Sequence, residues 1–220
     1  MEKSSEIALS HFLSMAGVDS RRKCTALIKE GHVEVNGELI TNPGFRVNPE
    51  TDKVTCNNRN VKVKQRTYIM LYKPRGFACT NEDKFAEKTV FDLVKVPGKR
   101  LFTVGRLDVE SEGLLLITDD GDYAEKLTHP RNQVRKVYVV KTNKPLLEES
   151  IAKLKKGIYC DGELLKAQDI IPQSKFAYRF VLTEGKKREI RRMLMSERLK
   201  VSRLKRIMIG KLTLGSLKPA

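Results

Sequence analysis

The sequence predicts an α+β protein in which a mixed, largely antiparallel sheet follows a small unit of two helices and short hairpins. Three observations carry this. Apolar residues keep a helical period in only a few stretches, whereas period-two or wholly apolar runs are more numerous. Several of those runs are joined too briefly for a helical crossover, which leaves antiparallel pairing. With 220 residues, 40% of them apolar, the chain can bury the cores of one large and one small domain.

The first unit begins with Leu9, Phe12, Leu13 and Ala16 at i, i+3, i+4 and i+7 on one helix face, which Gly17 ends. Asp19 and Ser20 offer caps for a second helix, Arg21 to Glu30, with Cys24, Leu27 and Ile28 on its apolar side and Gly31 as its stop. The period then changes to two. Val33 and Val35 alternate with polar neighbours, Asn36-Gly37 makes a tight turn, and Leu39-Ile40 begins the return. Val54 to Cys56, a turn over Asn57-Asn58-Arg59-Asn60, and Val61 to Val63 complete a domain placed at 1–64. Lys64-Gln65-Arg66 reads as the linker to a second domain at 67–220.

In the second domain, Tyr68 to Tyr72 is an apolar strand ended by the turn Lys73-Pro74-Arg75-Gly76. Thr89 to Val94 suits a short helix, and Leu101 to Val104 is a strand running into Gly105. Leu114 to Ile117 is an apolar strand broken at Asp119-Asp120-Gly121-Asp122, and Tyr123 to Leu127 gives one or two helical turns. Val137 to Val140 is a strand. Pro145 opens a helix with Leu147, Ile151 and Leu154 on one face and Gly157 at its end. Leu164 to Ile171 and Phe176 to Leu182 read as strands, Lys186 to Leu199 as a helix, and Val201 to Ile209 as a strand.

A formal net charge of +16 points to a polyanionic partner, because neutralising phosphates releases counterions and supplies most non-specific nucleic-acid affinity. No apolar run approaches the roughly 20 residues of a membrane helix, and the N-terminus lacks the pattern of a signal peptide. A cytoplasmic protein without a membrane partner is expected, and a monomer. Cys24, Cys56, Cys79 and Cys160 form no Cys-x-x-Cys pair, and His11, His32 and His129 are scattered, so neither a metal site nor a disulfide scaffold is expected. The cysteines read as small, partly buried apolar residues. The strand ending in Asp119-Asp120 imitates a Walker B segment, yet no G-x-x-x-x-G-K-[ST] exists, and G-x-G-x-x-G and G-x-S-x-G are also missing.

Two basic clusters and one carboxylate remain. Arg21, Arg22 and Lys23 start the second helix, where free N–H groups and the helix dipole favour phosphate; a DNA-reading helix-turn-helix ranks lower because a hairpin follows at once. From Lys186 to Arg206 there are ten bases against Glu189 and Glu197, and arginine suits bidentate phosphate contact. The segment Gly105 to Asp122, GRLDVESEGLLLITDDGD, is acidic by contrast. Its Asp108 follows a strand through Gly105-Arg106-Leu107. In a partly desolvated cleft, a neighbouring guanidinium would keep that carboxylate an anion, able to act as nucleophile or base.

That segment resembles the signature of bacterial ribosomal RNA pseudouridine synthases of the RsuA/RluB type. Tyr72 to Gly76, Lys136-Val137-Tyr138, Glu184 to Met193 and Leu204 to Ile207 match as well. Ala16 to Arg22 and Val33 to Gly37 resemble the alpha-L RNA-binding domain that precedes the catalytic domain in that family. The resemblance implies Asp108 as catalytic aspartate, Tyr138 against the target base, Arg191 paired with the aspartate, and Arg106 holding or replacing a flipped nucleotide. It implies isomerisation of uridine in ribosomal RNA, large-subunit RNA being favoured, without cofactor or metal. Contacts to substrate or RNA are expected from Arg106, Leu107, Lys73, Arg21, Arg22, Lys186, Arg188 and Arg192. Glu189 stands where many members have glutamine. A synthase acting on small-subunit RNA, a non-catalytic RNA-binding or ribosome-assembly protein and a DNA-binding regulator are the alternatives.

Overall fold

The computed structural model describes residues 6–63, 65–80 and 87–220. Residues 1–5 of the predicted first domain and Lys64 of the predicted linker lie outside them. The chain divides into two compact units. One takes in residues up to Thr67 together with Pro97–Leu101 and Asp119–Gly121, segments far off in sequence; the other holds the remainder.

In the first unit, β1 (Ile7–Ala8) leads directly into α1 (Leu9–Met15), and α2 (Arg21–Lys29) follows. The Ser20 side chain accepts from Lys23 N at 3.4 Å, satisfying one of the free N–H groups at the start of α2. The helices press Leu9, Phe12, Leu13, Cys24 and Ile28 against β2 (Val33–Val35), β4 (Arg46–Val47) and β5 (Val54–Cys56). With β3 (Glu38–Leu39) and β6 (Arg59–Val61) the sheet order is β3-β2-β5-β6, while β1 and β4 pair separately. The predicted turn from Asn57 to Asn60 is shorter than expected. Asn57 and Asn58 both take positive φ (48° and 59°), so two residues suffice and the return strand starts at Arg59.

The second unit is built on an eight-stranded sheet. Its strands are β7 (Tyr68–Lys73), β8 (Phe102–Val104), β9 (Glu112–Thr118), β10 (Lys136–Thr142), β13 (Asp169–Ser174), β14 (Ala177–Leu182), β15 (Val201–Ile209) and β16 (Leu212–Thr213). The order is β13-β14-β10-β15-β9-β7, with β8 on β9 and β16 on β15. Every pairing is antiparallel except β15 with β9. All seven residues of β9 are buried, as a strand covered on both faces requires. The helices are α3 (Val90–Leu93), α4 (Gly121–Thr128), α5 (Glu148–Lys156) and α6 (Glu189–Ser196), with a 3-10 turn at Pro130–Asn132 and a separate hairpin of β11 (Ile158–Cys160) and β12 (Glu163–Leu165).

Three expectations change here. The strand predicted over Leu164 to Ile171 is two, β12 and β13, and β11 was not foreseen. Leu147 is not on the buried face of α5 but caps its start and is exposed, while Leu146 is buried beside Tyr178. The last helix starts at Glu189 rather than Lys186, because Arg188 sits in the left-handed region (φ 52°) and cannot continue a helix. Lys186 to Arg188 thus form a loop ahead of α6. Both Ile190 and Met193 anchor that helix in the main core with Tyr138, Val140 and Phe180.

Candidate active site

The connection from β8 to β9 carries Asp108. Gly105 turns the chain at φ +70°, Leu107 buries its side chain in the main core, and Ser111 N closes a tight turn onto the Asp108 carbonyl at 2.9 Å. Cys79 Sγ accepts from Leu107 N at 3.4 Å, so the loop is also fastened from a neighbouring segment. Cys24 and Cys56 are buried, Cys79 and Cys160 partly so, and all four are free thiols.

Two buried cations hold this loop from beneath. Lys73 is fully buried, and its Nζ donates to the carbonyls of Ser111 (2.7 Å), Pro74 (3.0 Å) and Val109 (3.4 Å). Its predicted part as an RNA contact is therefore corrected: an ammonium with three carbonyl acceptors and no exposure tethers the loop instead. Burial lowers the lysine's pKa, and the charges of Cys79, Asp108 and Glu112 oppose that shift. Arg206, 2% exposed, donates from Nε to Leu114 O (2.7 Å) and from Nη1 to Arg106 O (3.4 Å). The Lys73 charge is felt by Asp108, whose side chain remains about one-third exposed (34%).

A cavity of about 590 Å³ opens above the loop. Its apolar wall is made by Leu107, Tyr138, Ile190 and Leu204, and its polar mouth by Arg106, Lys186, Lys187 and Arg188, with Asp108 between them. Tyr138 lies on β10, only 7% exposed and paired with Phe180 and Arg206. Glu110 and Glu189 also line the cavity; an aromatic wall beside Asp108 and a cationic rim suits a flat, neutral base on an anionic backbone. Arg191 comes to Asp108 from α6, with Nε 4.0 Å from Oδ2, but its Nη1 is nearer to Glu110 Oε2, at 3.3 Å. Burial lowers the Arg191 pKa, and the Glu110 charge raises it more than that of Asp108 does.

The remaining predicted residues divide. Arg106 is exposed and lines the cavity. Lys186 also lines it but is tied to Leu164 O (2.7 Å) and Glu184 (2.5 Å). Arg192, also expected to contact RNA, is bound to Glu163 (2.5 Å), Asp161 (3.2 Å) and the Cys160 carbonyl (2.5 Å), fixing the β11–β12 hairpin to α6. Both Arg21 and Arg22 belong to the first unit, exposed on the opening turn of α2. In the acidic segment, Glu112 is a support. Burial pushes its carboxyl up, but the hydrogen bond and charge of Arg203 outweigh this and lower it, with Tyr72 Oη adding a bond at 3.4 Å. Asp119 accepts from Thr67 N at 2.7 Å and pairs with Lys99, and Asp120 pairs with Arg66, so both are local turn anchors.

The family model for RNA pseudouridylate synthase matches residues 67–196, which include the whole of this cavity's Asp108 loop, Tyr138 and Arg191. The chain belongs to that family. A second family model, the S4 domain, matches residues 9–54. An RNA pseudouridine synthase of Aquifex aeolicus is 37% identical over 219 residues, covering 97% of this chain and 88% of the relative. The ribosomal large subunit pseudouridine synthase B of Bacillus subtilis is 36% identical over 204 residues, covering 90% and 83%. A crystal structure of a pseudouridylate synthase, 28% identical, superposes with a TM-score of 0.69 over 97% of this chain and 93% of that one. This pseudouridine synthase is thus an isomerase acting on RNA, carried on an α+β fold with an N-terminal S4 domain. Among the described residues no helix is long and apolar enough to cross a membrane.

Proposed function

We propose that this synthase isomerises uridine in ribosomal RNA, with large-subunit RNA as its substrate and Asp108 as its catalytic carboxylate. The observation that carries the reading is Asp108 itself, held by a buried double tether at the edge of an aromatic-walled, basic-mouthed cavity and faced by Arg191. Relatives at similar identity in Bacillus subtilis and Vibrio vulnificus bear the name ribosomal large subunit pseudouridine synthase B, which favours the large subunit.

The target uridine leaves its stack and lies against Tyr138, while Arg106 fills or holds the vacated position and Arg188 takes phosphate. The N1–C1′ bond breaks, the uracil turns while bound, and C5 joins C1′; the proton displaced from C5 passes to N1, so nothing enters or leaves and no cofactor is required. Asp108 serves whether it attacks C1′, adds to uracil C6 or removes the 2′ proton. Residues 1–64 act as the RNA-binding domain and 67–220 as the catalytic one, in a cytoplasmic monomer.

Replacing Asp108 by Asn tests this. The variant is expected to lose pseudouridine formation by at least roughly 10⁴-fold, while its RNA dissociation constant stays within about three-fold, since one carboxylate carries little of the phosphate binding. Carbodiimide mapping of ribosomal RNA from cells with and without the protein assigns the position. Full activity of the Asn variant, or identical maps, would overturn the reading.

A further inference from the structure

The carboxylate closest to Arg191 is not the proposed catalyst. Glu110, one residue past Val109 in the Asp108 turn, lies 3.3 Å from Arg191 Nη1 and 3.6 Å from Arg188 Nη2, while Asp108 stays 4.0 Å from Nε. Arg191 Nε, though buried, has no hydrogen-bond partner. The turn beneath Glu110 is fixed, with Val109 O taken by Gly76 N at 2.9 Å and Ser111 N bound to Asp108 O. A rigid turn therefore aims one anion at two guanidiniums beside the cavity mouth.

Glu110 is 60% exposed, whereas Arg191 is 13% exposed and held on α6. The acid can leave into water at little cost, because ion pairs this open contribute about 0–1 kcal/mol. Arg191 stays on its helix, while Arg188, 45% exposed on the loop ahead of α6, can turn with an incoming anion. Two guanidiniums converging on one anion have the geometry that suits a phosphodiester, whose oxygens accept two charge-assisted bonds together.

We propose that Glu110 occupies, in the RNA-free protein, a phosphate site formed by Arg188 and Arg191, and that a backbone phosphate next to the target uridine displaces it. The proposal rests on Asp108 marking the uridine site. In a chain of net charge +16, a resident competitor raises the threshold for phosphates that approach without a base entering the cavity. Glu110 is thus a resident competitor that weakens RNA binding at the mouth.

The test compares Glu110→Gln with the wild type, and with Glu149→Gln as a control for the same charge change on exposed α5. Dissociation constants are measured for an unmodified large-subunit RNA transcript and for a short oligouridylate from 50 to 200 mM salt. Glu110→Gln is expected to bind both probes about three- to ten-fold tighter, beyond any effect of the control. Its log Kd should depend on log salt more steeply by about 0.7, as the freed arginines hold a counterion that RNA must release. In an Arg188→Ala background the gain should shrink to less than about two-fold. Unchanged or weaker binding by Glu110→Gln overturns the proposal, and so does a gain no larger than that of the control. A fall in turnover with unchanged affinity overturns it as well, since Glu110 would then be positioning Arg191. If the wild type makes no pseudouridine in the transcript, the substrate reading fails, but the oligouridylate still decides the role of Glu110.

Discussion

Glu189 is 5% exposed and lines the cavity, and its carboxylate accepts a hydrogen bond from Lys186 N at 3.1 Å. Burial raises its pKa above the ordinary value near 4.5, and the Lys186 hydrogen bond and the Lys186 and Lys136 charges only partly offset this. A carboxyl with a raised folded-state value binds more protons folded than unfolded, so its contribution to stability falls as pH climbs through the interval between the two values. Glu189→Gln keeps the acceptor and removes the charge. It should match the wild type below about pH 4.5, where both are neutral, and exceed it at pH 7 by about 1 kcal/mol, roughly 2–4 °C in melting temperature. Equal melting curves at pH 7 would show that the lysines fully compensate the buried charge. Asp108 was legible in the sequence because a strand followed by Gly-Arg-Leu puts a carboxylate at a strand end. Lys73 and Arg206 were not, since their acceptors include carbonyls 38 and 92 residues away and only the folded sheet brings them together.

The pairing of β9 with β15 decides where that carboxylate stands, because among the described residues it is the one parallel strand pairing in the main sheet and it sets Gly113 against Arg206. Gly113 has φ +107°, and a Cβ there would stand 2.2 Å from the Arg206 carbonyl oxygen. Neither backbone can give way without parting the two strands. Gly113→Ala should destabilise the protein by about 3–5 kcal/mol, the strain of a positive φ added to a backbone clash. Chemical denaturation checks this, and a loss under about 1 kcal/mol would mean that the strands are less closely paired than described. Strands such as β15, whose bounds match the strand expected from Val201 to Ile209, were legible because β-branched and apolar residues recur between its bases. The two-residue pair β1–β4 was not, because two residues carry no period. The β11–β12 hairpin did have a signal: Asp161-Gly162 takes φ +51° and +77°, a pair suited to a two-residue turn. The strand expected over Leu164 to Ile171 absorbed its second arm, and Ile158 to Cys160 is too short to carry a period of its own.

For the whole molecule, the excess of 43 basic over 27 acidic residues must be weighed against how many bases are free to meet RNA. Arg192, Lys186, Lys73 and Arg206 are engaged internally, so the proposed phosphate binding falls to exposed positions such as Arg106, Arg21 and Arg22. Arg21 and Arg22 project from the capped start of α2, where the helix dipole adds to their charge. If both contact phosphates, replacing them with Ala removes two neutralised charges from the bound state. The slope of log Kd against log salt for the ribosomal RNA transcript should then become shallower by about 1.4, at roughly 0.7 per phosphate on single-stranded RNA. Affinity at 150 mM salt should weaken by at least about ten-fold, while Asp108→Asn, lacking any phosphate contact, keeps the wild-type slope. Because the S4 domain has its own hydrophobic core around Leu9, Phe12 and Ile28, and both arginines are exposed, the double variant should melt within about 1 °C of the wild type. A slope unchanged by the double substitution would place the RNA backbone elsewhere on the protein and leave α2 with a structural role alone.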